Sequence, residues 1–246
     1  MDRSSSQRLS VAEQFALISE DLLADNGRST TLDRVVEMAV QTIPTADGCG
    51  ITIRRGNKAV ETPACTSRLI KELDELQYVV QEGPCWDSTW TLETNTIPDL
   101  RIEQRWPQWT PAAARAGIRS VLSVRVATAA RLVGALNLYA HRPDAFDDTD
   151  AATASIFARH AANALAVADR ADHLRTALLT RQAIGAAQGM LMQRFGLTLD
   201  QSFELLRRYS QDNNLKVRDL AERLVRAGGI TDGLEDALSL PPPAER

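Results

Sequence analysis

RQAIGAAQGMLMQRFGLTLDQSFELLRRYSQDNNLKVRDLA, residues 181–221, carries the clearest local code in the chain. Gly196 follows Phe195 and suits the left-handed turn that ends a helix. Thr198 precedes Leu199-Asp200-Gln201, a capping box with Gln201 at the third helical position. A second helix is expected from Leu199 to about Gln211, burying Phe203 and Leu206, with Ser202 and Tyr209 beside them. Asp212-Asn213-Asn214 reads as a turn. A third helix, Lys216 to Arg226, buries Val217, Leu220, Ala221 and Leu224 before Gly228-Gly229 stops it. The stretch predicts a compact all-α bundle of three helices. Gln188, Arg194, Arg208, Asn213, Asn214, Lys216 and Arg218 fall on its expected exposed side.

Charge sets this segment apart. The 246 residues carry a net charge of −4. Arg175 to Arg226 holds nine Lys/Arg against five Asp/Glu, a local +4, which leaves −8 on the rest. A basic module on an acidic chain points to a polyanionic partner. Elsewhere composition mainly excludes. No run of eighteen apolar residues exists, so no transmembrane helix is expected. The N-terminus MDRSSSQRLS lacks the apolar core of a signal peptide, and residues 1–10 are expected to be flexible. Three cysteines (Cys49, Cys65, Cys85) and three histidines show neither a disulfide framework nor metal-ligand spacing. The expectation is a cytoplasmic protein without a metal site.

Upstream, Val11, Phe15, Ile18 and Leu22 give helical spacing over 11–25, and a second helix is expected over Leu32–Ile43. Gly50–Arg54 and Ala59–Glu61 read as a strand pair around Arg55-Gly56-Asn57. Residues 68–79 return to helical spacing. Ser120–Ala127 (SVLSVRVA) and Leu132–Ala140 (LVGALNLYA) are the strongest strands, with a link short enough for an antiparallel hairpin. Asp144, Asp147, Asp148 and Asp150 favour the start of a long alanine-rich helix near Asp150 that runs past Leu179. Along it, Ala164, Ala168, Ala171, Leu174 and Leu178 form a stripe, from which a homodimer is expected. This element order predicts an α+β domain, an antiparallel sheet with helices packed on one face.

Two family resemblances follow. Residues 11–168, through EGPCWDSTW (82–90) and SVLSVRVATAARLVGALNLYA (120–140), resemble a GAF sensor domain. Ile184, Ala187, Gly189, Leu191, Met192, the run Phe203 to Ser210, Asn213-Asn214, Lys216 and Arg218 to Ala221 resemble an ANTAR module over 175–228. Residues 150–180 form the connecting helix and 229–246 a mobile tail of no clear role. The combination is similar to GAF-ANTAR antitermination regulators of actinobacterial type. The resemblance implies binding to paired hairpins in nascent messenger RNA, which lets the polymerase read through, under control of a small molecule or redox state sensed by the GAF domain. The chain departs from many relatives at Leu215 and Gln188, where they carry cations, and at Ser202, where they carry alanine.

The residues make chemical sense for such a task. Hairpin loops expose unstacked bases, read by amides and by stacking. Gln188, Asn213 and Asn214 offer a donor and an acceptor together. Arg181, Arg208, Lys216 and Arg218 suit phosphates, and Gly189 permits close approach of RNA or of a second helix. In the sensor half all four tryptophans (Trp86, Trp90, Trp106, Trp109) fall within 24 residues. They read either as an aromatic ligand pocket or as filling between sheet and loops. Cys85, Trp86, Trp90 and Trp106 are the candidate ligand-facing residues, with Cys85 either redox-sensitive or an inert buried thiol. No cofactor is specified. No phosphate loop or nucleophile–base pair is evident, so no enzymatic activity is expected. Two rival readings remain: a DNA-binding regulator with a helix-turn-helix, and a ligand-binding scaffold whose basic tail contacts a protein.

Overall fold

The computed structural model describes residues 16–24, 27–55, 59–90, 94–130 and 132–228. The expected positions Val11 and Phe15, the Gly56-Asn57 turn and the C-terminal tail lie outside them. The chain divides into two units, Met1–Asp172 and His173–Arg246.

In the first unit, residues 16–24 form α1. α2 (Arg28–Thr42), β1 (Gly48–Arg55), β2 (Ala59–Cys65), α3 (Arg68–Val80) and α4 (Pro84–Trp90) follow. Next come β3 (Asn95–Ile97), α5 (Thr110–Arg115), β4 (Ser120–Ala127), β5 (Leu132–Ala140) and the start of α6 (Asp148–Phe195). The five strands form one antiparallel sheet in the order β2-β1-β5-β4-β3. β1 and β5 lie at its centre. Thr52 faces Ala135 and Ile53 faces Gly134. A Cβ on Gly134 would lie 1.7 Å from the Thr52 carbonyl oxygen, so only glycine permits this approach.

Helices cover both faces of the sheet, which corrects the expectation of one. On the first face, Cys49, Ile51, Ile53, Leu122, Val124, Leu136 and Leu138 pack with Val35, Val36 and Ala39 of α2 and Phe157, Ala161 and Leu165 of α6. On the second, Val121, Tyr139 and Ile97 pack with Ile70 and Leu73 of α3, Ala113 of α5, and Trp106 and Trp109. Two-sided cover explains why β5 is buried along almost its whole length instead of alternating. The start of α2 is tied to α6: Arg28 Nη1 lies 2.6 Å from Asp169 Oδ1, and the Arg28 amide donates to Asp172 Oδ2 at 3.1 Å.

The second unit contains the last part of α6, then α7 (Leu199–Asp212) and α8 (Val217–Arg226). Ala187, Leu191, Leu206, Leu220, Ala221 and Leu224 form its core. Gly196 takes φ 65° and ends α6, and the Thr198–Gln201 capping box forms with both hydrogen bonds. Phe203, expected inside, is 39% exposed. The buried face of α7 runs through Ser202, Leu206 and Ser210 at four-residue steps, and Phe203 stands one residue off that line.

The alanine–leucine stripe of α6 divides. Ala164 and Ala168 are buried within the first unit, whereas Leu174 and Leu178 are 67% and 59% exposed. No helix among the described residues is long and apolar enough to cross a membrane.

Candidate functional site

The basic residues of the second unit are set by the ends of two helices. The Asn213 amide hydrogen-bonds to the Tyr209 carbonyl, and Asn214 turns the chain through φ 51°. The Ser210 hydroxyl and the Leu215 carbonyl close the turn. Lys216 then occupies the N-cap of α8 and is exposed. Arg208 and Arg181 are exposed too, and none of the three forms a salt bridge with a described residue. Arg218 differs: it lies 3.0 Å from Asp219 and 3.9 Å from Glu222. Its charge is already partly answered, and Arg207 is likewise held by Glu204 at 2.6 Å. Such exposed pairs contribute little to stability.

The amides are also partly engaged. Gln188 Nε2 donates to the Leu199 carbonyl at 3.0 Å and to Ser202 Oγ at 3.4 Å, so this side chain ties α6 to α7. Ser202 Oγ in turn donates to the Leu199 carbonyl at 2.7 Å. Asn213 Nδ2 donates to the Tyr209 carbonyl at 3.0 Å. Gly189 is exposed, and a Cβ there would meet nothing within 4 Å, so packing against the described residues does not require glycine. Tyr209 packs against the bundle core, as expected. Phe203 is the surface aromatic that sequence periodicity assigned to the interior.

The second face of the sheet in the first unit holds a buried polar cluster. Asp74 of α3 is fully buried. Its Oδ1 accepts from the Tyr139 hydroxyl at 2.5 Å and from Asn137 Nδ2 at 3.2 Å, and its Oδ2 accepts from the Thr62 hydroxyl at 3.1 Å. Asn137 Nδ2 also donates to Thr52 Oγ1, and Asn137 Oδ1 accepts from Ser123. Thr52 and Thr62 both reach the Tyr78 hydroxyl, at 2.8 and 2.6 Å. Burial outweighs these hydrogen bonds and pushes the Asp74 carboxyl up to about 6. Every strand except β3 and helices α3 and α4 supply a member, so the cluster fixes their mutual register.

Cys85 belongs to this cluster. Its amide donates to Gln77 Oε1 at 2.9 Å, and its sulfur lies 3.4 Å from Thr52 Oγ1. Burial, then the charge of Asp74, raise its thiol well above the ordinary range. A redox-reactive cysteine needs the opposite, a lowered pKa and access, and Cys85 is buried. Trp106 is 3% exposed and donates from Nε1 to Asp87 Oδ2 at 2.9 Å, and Trp109 donates to the Leu73 carbonyl. These two rings are core. Trp86 and Trp90 are half-buried with centroids 5.5 Å apart, and the Arg54 guanidinium lies 4.3 Å from the Trp90 centroid.

The chain thus combines a covered antiparallel sheet, a long helix and a small bundle that exposes Arg181, Arg208 and Lys216. The GAF domain family matches residues 26–166, and the ANTAR domain family matches residues 172–225. The chain belongs to the GAF-domain family and carries the GAF-ANTAR architecture, a sensor domain followed by an RNA-binding antiterminator domain. No curated protein matches it.

Among solved structures, the chromophore-binding domain of the bacteriophytochrome RpBphP3 from R. palustris aligns with a TM-score of 0.53 and 11% identity, over 70% of this chain and 64% of that one. Free methionine-R-sulfoxide reductase from Neisseria meningitidis, in complex with its substrate, aligns at 0.52 and 14%, over 70% and 95%. The cyanobacteriochrome TePixJ GAF domain aligns at 0.50 and 14%, over 62% and 95%. At these identities the likeness is one of fold.

Proposed function

We propose that the chain is a signal-responsive transcription antiterminator without catalytic activity, whose C-terminal bundle binds paired hairpins in nascent messenger RNA. The observation that carries this reading is Lys216, exposed at the α7–α8 turn with no acid paired to it among the described residues, within the segment that matches the ANTAR family. Arg208 and Arg181 supply further phosphate contacts, Asn213 and Asn214 present the turn to a loop base, and Phe203 offers an aromatic face for stacking. Gln188 acts by positioning α7. Arg218 contributes less than Lys216, because two carboxylates lie beside it.

Signal passes along α6. Leu174, Leu178 and Leu179 are more than half exposed, and a second copy of the chain covers them. A change in that pairing presents or hides the basic surface. Proline at Ala171 interrupts the helix while leaving both cores intact. It is expected to abolish the effect of the signal on RNA affinity; intact coupling in that variant refutes the helical route. The direct test of RNA binding is titration of the full chain with a two-hairpin RNA, a scrambled RNA of equal length and duplex DNA at one salt concentration. Preference for the hairpins supports the reading. Equal binding or preference for DNA overturns it.

A further inference from the structure

The sensor unit carries a second feature, apart from the sealed cluster around Asp74. An open cavity of about 740 Å3 lies against the β4–β5 hairpin and α6. Arg125 of β4 and Arg159 of α6 both line it, both are exposed, and neither has an ion-pair partner among the described residues. Their polar neighbours are Thr94, Thr128, Ser155 and Asn163. Ser155, Arg159 and Asn163 follow one another at four-residue intervals, so a single face of α6 forms one wall. Ligand clefts of this size, roughly 300–1,000 Å3, are ordinarily apolar with a few polar groups; this one is polar and cationic.

Two guanidinium groups line one space, and its described lining contains no acidic residue. This is the more notable in residues 1–174, whose 18 Lys/Arg against 23 Asp/Glu leave a net charge of −5. We infer that this cavity is a binding site for a phosphate-bearing small molecule of about nucleotide size. Guanidinium forks match phosphoryl oxygens in shape and charge, and hydroxyl and amide neighbours complete such a shell. The cavity exceeds what a lone phosphate fills. A bound oxyanion shared by Arg125 and Arg159 would link β4 to α6. The signal would then act on α6 directly. This site does not depend on the RNA reading, since it concerns the first unit alone.

The test is calorimetric titration of the full chain, at low and moderate salt, with inorganic phosphate, pyrophosphate, ATP and adenosine. Saturable binding of ATP or pyrophosphate is expected, weakened by salt, with adenosine silent. Arg125→Gln and Arg159→Gln are each expected to weaken it by about tenfold or more. Arg115→Gln, an exposed arginine outside the cavity, is the charge-matched control and leaves binding unchanged. Binding of inorganic phosphate as tight as ATP would assign the site to a free anion, and so overturn the nucleotide size. No saturable binding of any charged probe, binding equal for adenosine, or binding that survives both arginine substitutions overturns the site.

Discussion

The two units treat polar groups in opposite ways. The GAF unit takes them inside: Asp74, Asn137, Thr52, Ser123 and Gln77 are wholly buried and hydrogen-bonded to one another or to Tyr139, Tyr78 and Cys85. The ANTAR unit keeps an almost purely apolar core of six buried side chains and leaves its charges at the surface. A buried network specifies one arrangement of strands and helices and is costly to disturb. A small core with a displayed surface serves contact with a large, charged partner. The difference teaches where each unit is vulnerable, the first to a change of protonation and the second to loss of a single core side chain.

The largest effect is expected there. Leu206 is 1% exposed in a core of six buried apolar residues among those described, so Leu206→Ala should cost about 2–5 kcal/mol. Hydrogen exchange in the full chain should show protection lost in α7 and α8 while β1 and β5 keep theirs. Equal loss in both units would mean that their stabilities are not separate.

A second contrast is set by pH. Asp74 titrates at about 6 in the folded protein, above its ordinary 3.8. Well below 3.8 the carboxyl is protonated in both folded and unfolded chains and makes no difference. As pH rises toward 6 only the unfolded chain ionises, so this group lowers stability progressively, by on the order of 3 kcal/mol once pH exceeds 6. Asp74→Asn should therefore flatten the fall in thermal midpoint between pH 4 and 6 relative to the native chain. An unchanged slope would show that the cluster does not hold the acid in its neutral form.

The smallest effect separates stability from contact. Gly189 and Gly185 sit within α6 with open space around them. Gly189→Ala should stabilise the bundle by about 0.5–1 kcal/mol, as alanine does in helix interiors. If RNA affinity falls while stability rises, the glycine serves approach of the RNA; if both rise, it does not.

Much of this was legible in the residues. Gly196, the Thr198–Gln201 capping box and the turn around Asn213-Asn214 place α7 and α8 because each signal is local; Gly196 and the box take the expected form, and Asp212, expected in the turn, is the last residue of α7. The β4–β5 hairpin appears with the expected ends. Within residues 82–118 the sequence gives a resemblance and a run of tryptophans but no secondary-structure elements. Their elements α4, β3 and α5 span seven, three and six residues, too short for periodicity, and are held by distant partners such as Asn95 to Ser88 and Trp109 to Leu73.

The polar cluster was missed for a related reason. Asp74 in KELDELQ resembles any solvated helix residue, and only the partners that α3 meets in space bury it. One signal was available: Asn137 and Tyr139 alternate within LVGALNLYA, polar atoms along one face of an otherwise apolar central strand. The lack of polar alternation along β5 was likewise a signal of cover on both sides of the sheet, against the one face expected.

The account rests on the cationic surface at the α7–α8 turn. The most direct measurement is the salt dependence of two-hairpin RNA binding by the full chain and its Lys216→Ala variant. The account predicts weaker binding by the variant and a shallower slope of log affinity against log salt, by about 0.7–1 for one lost phosphate contact. Identical affinity and slope for the two proteins would contradict it.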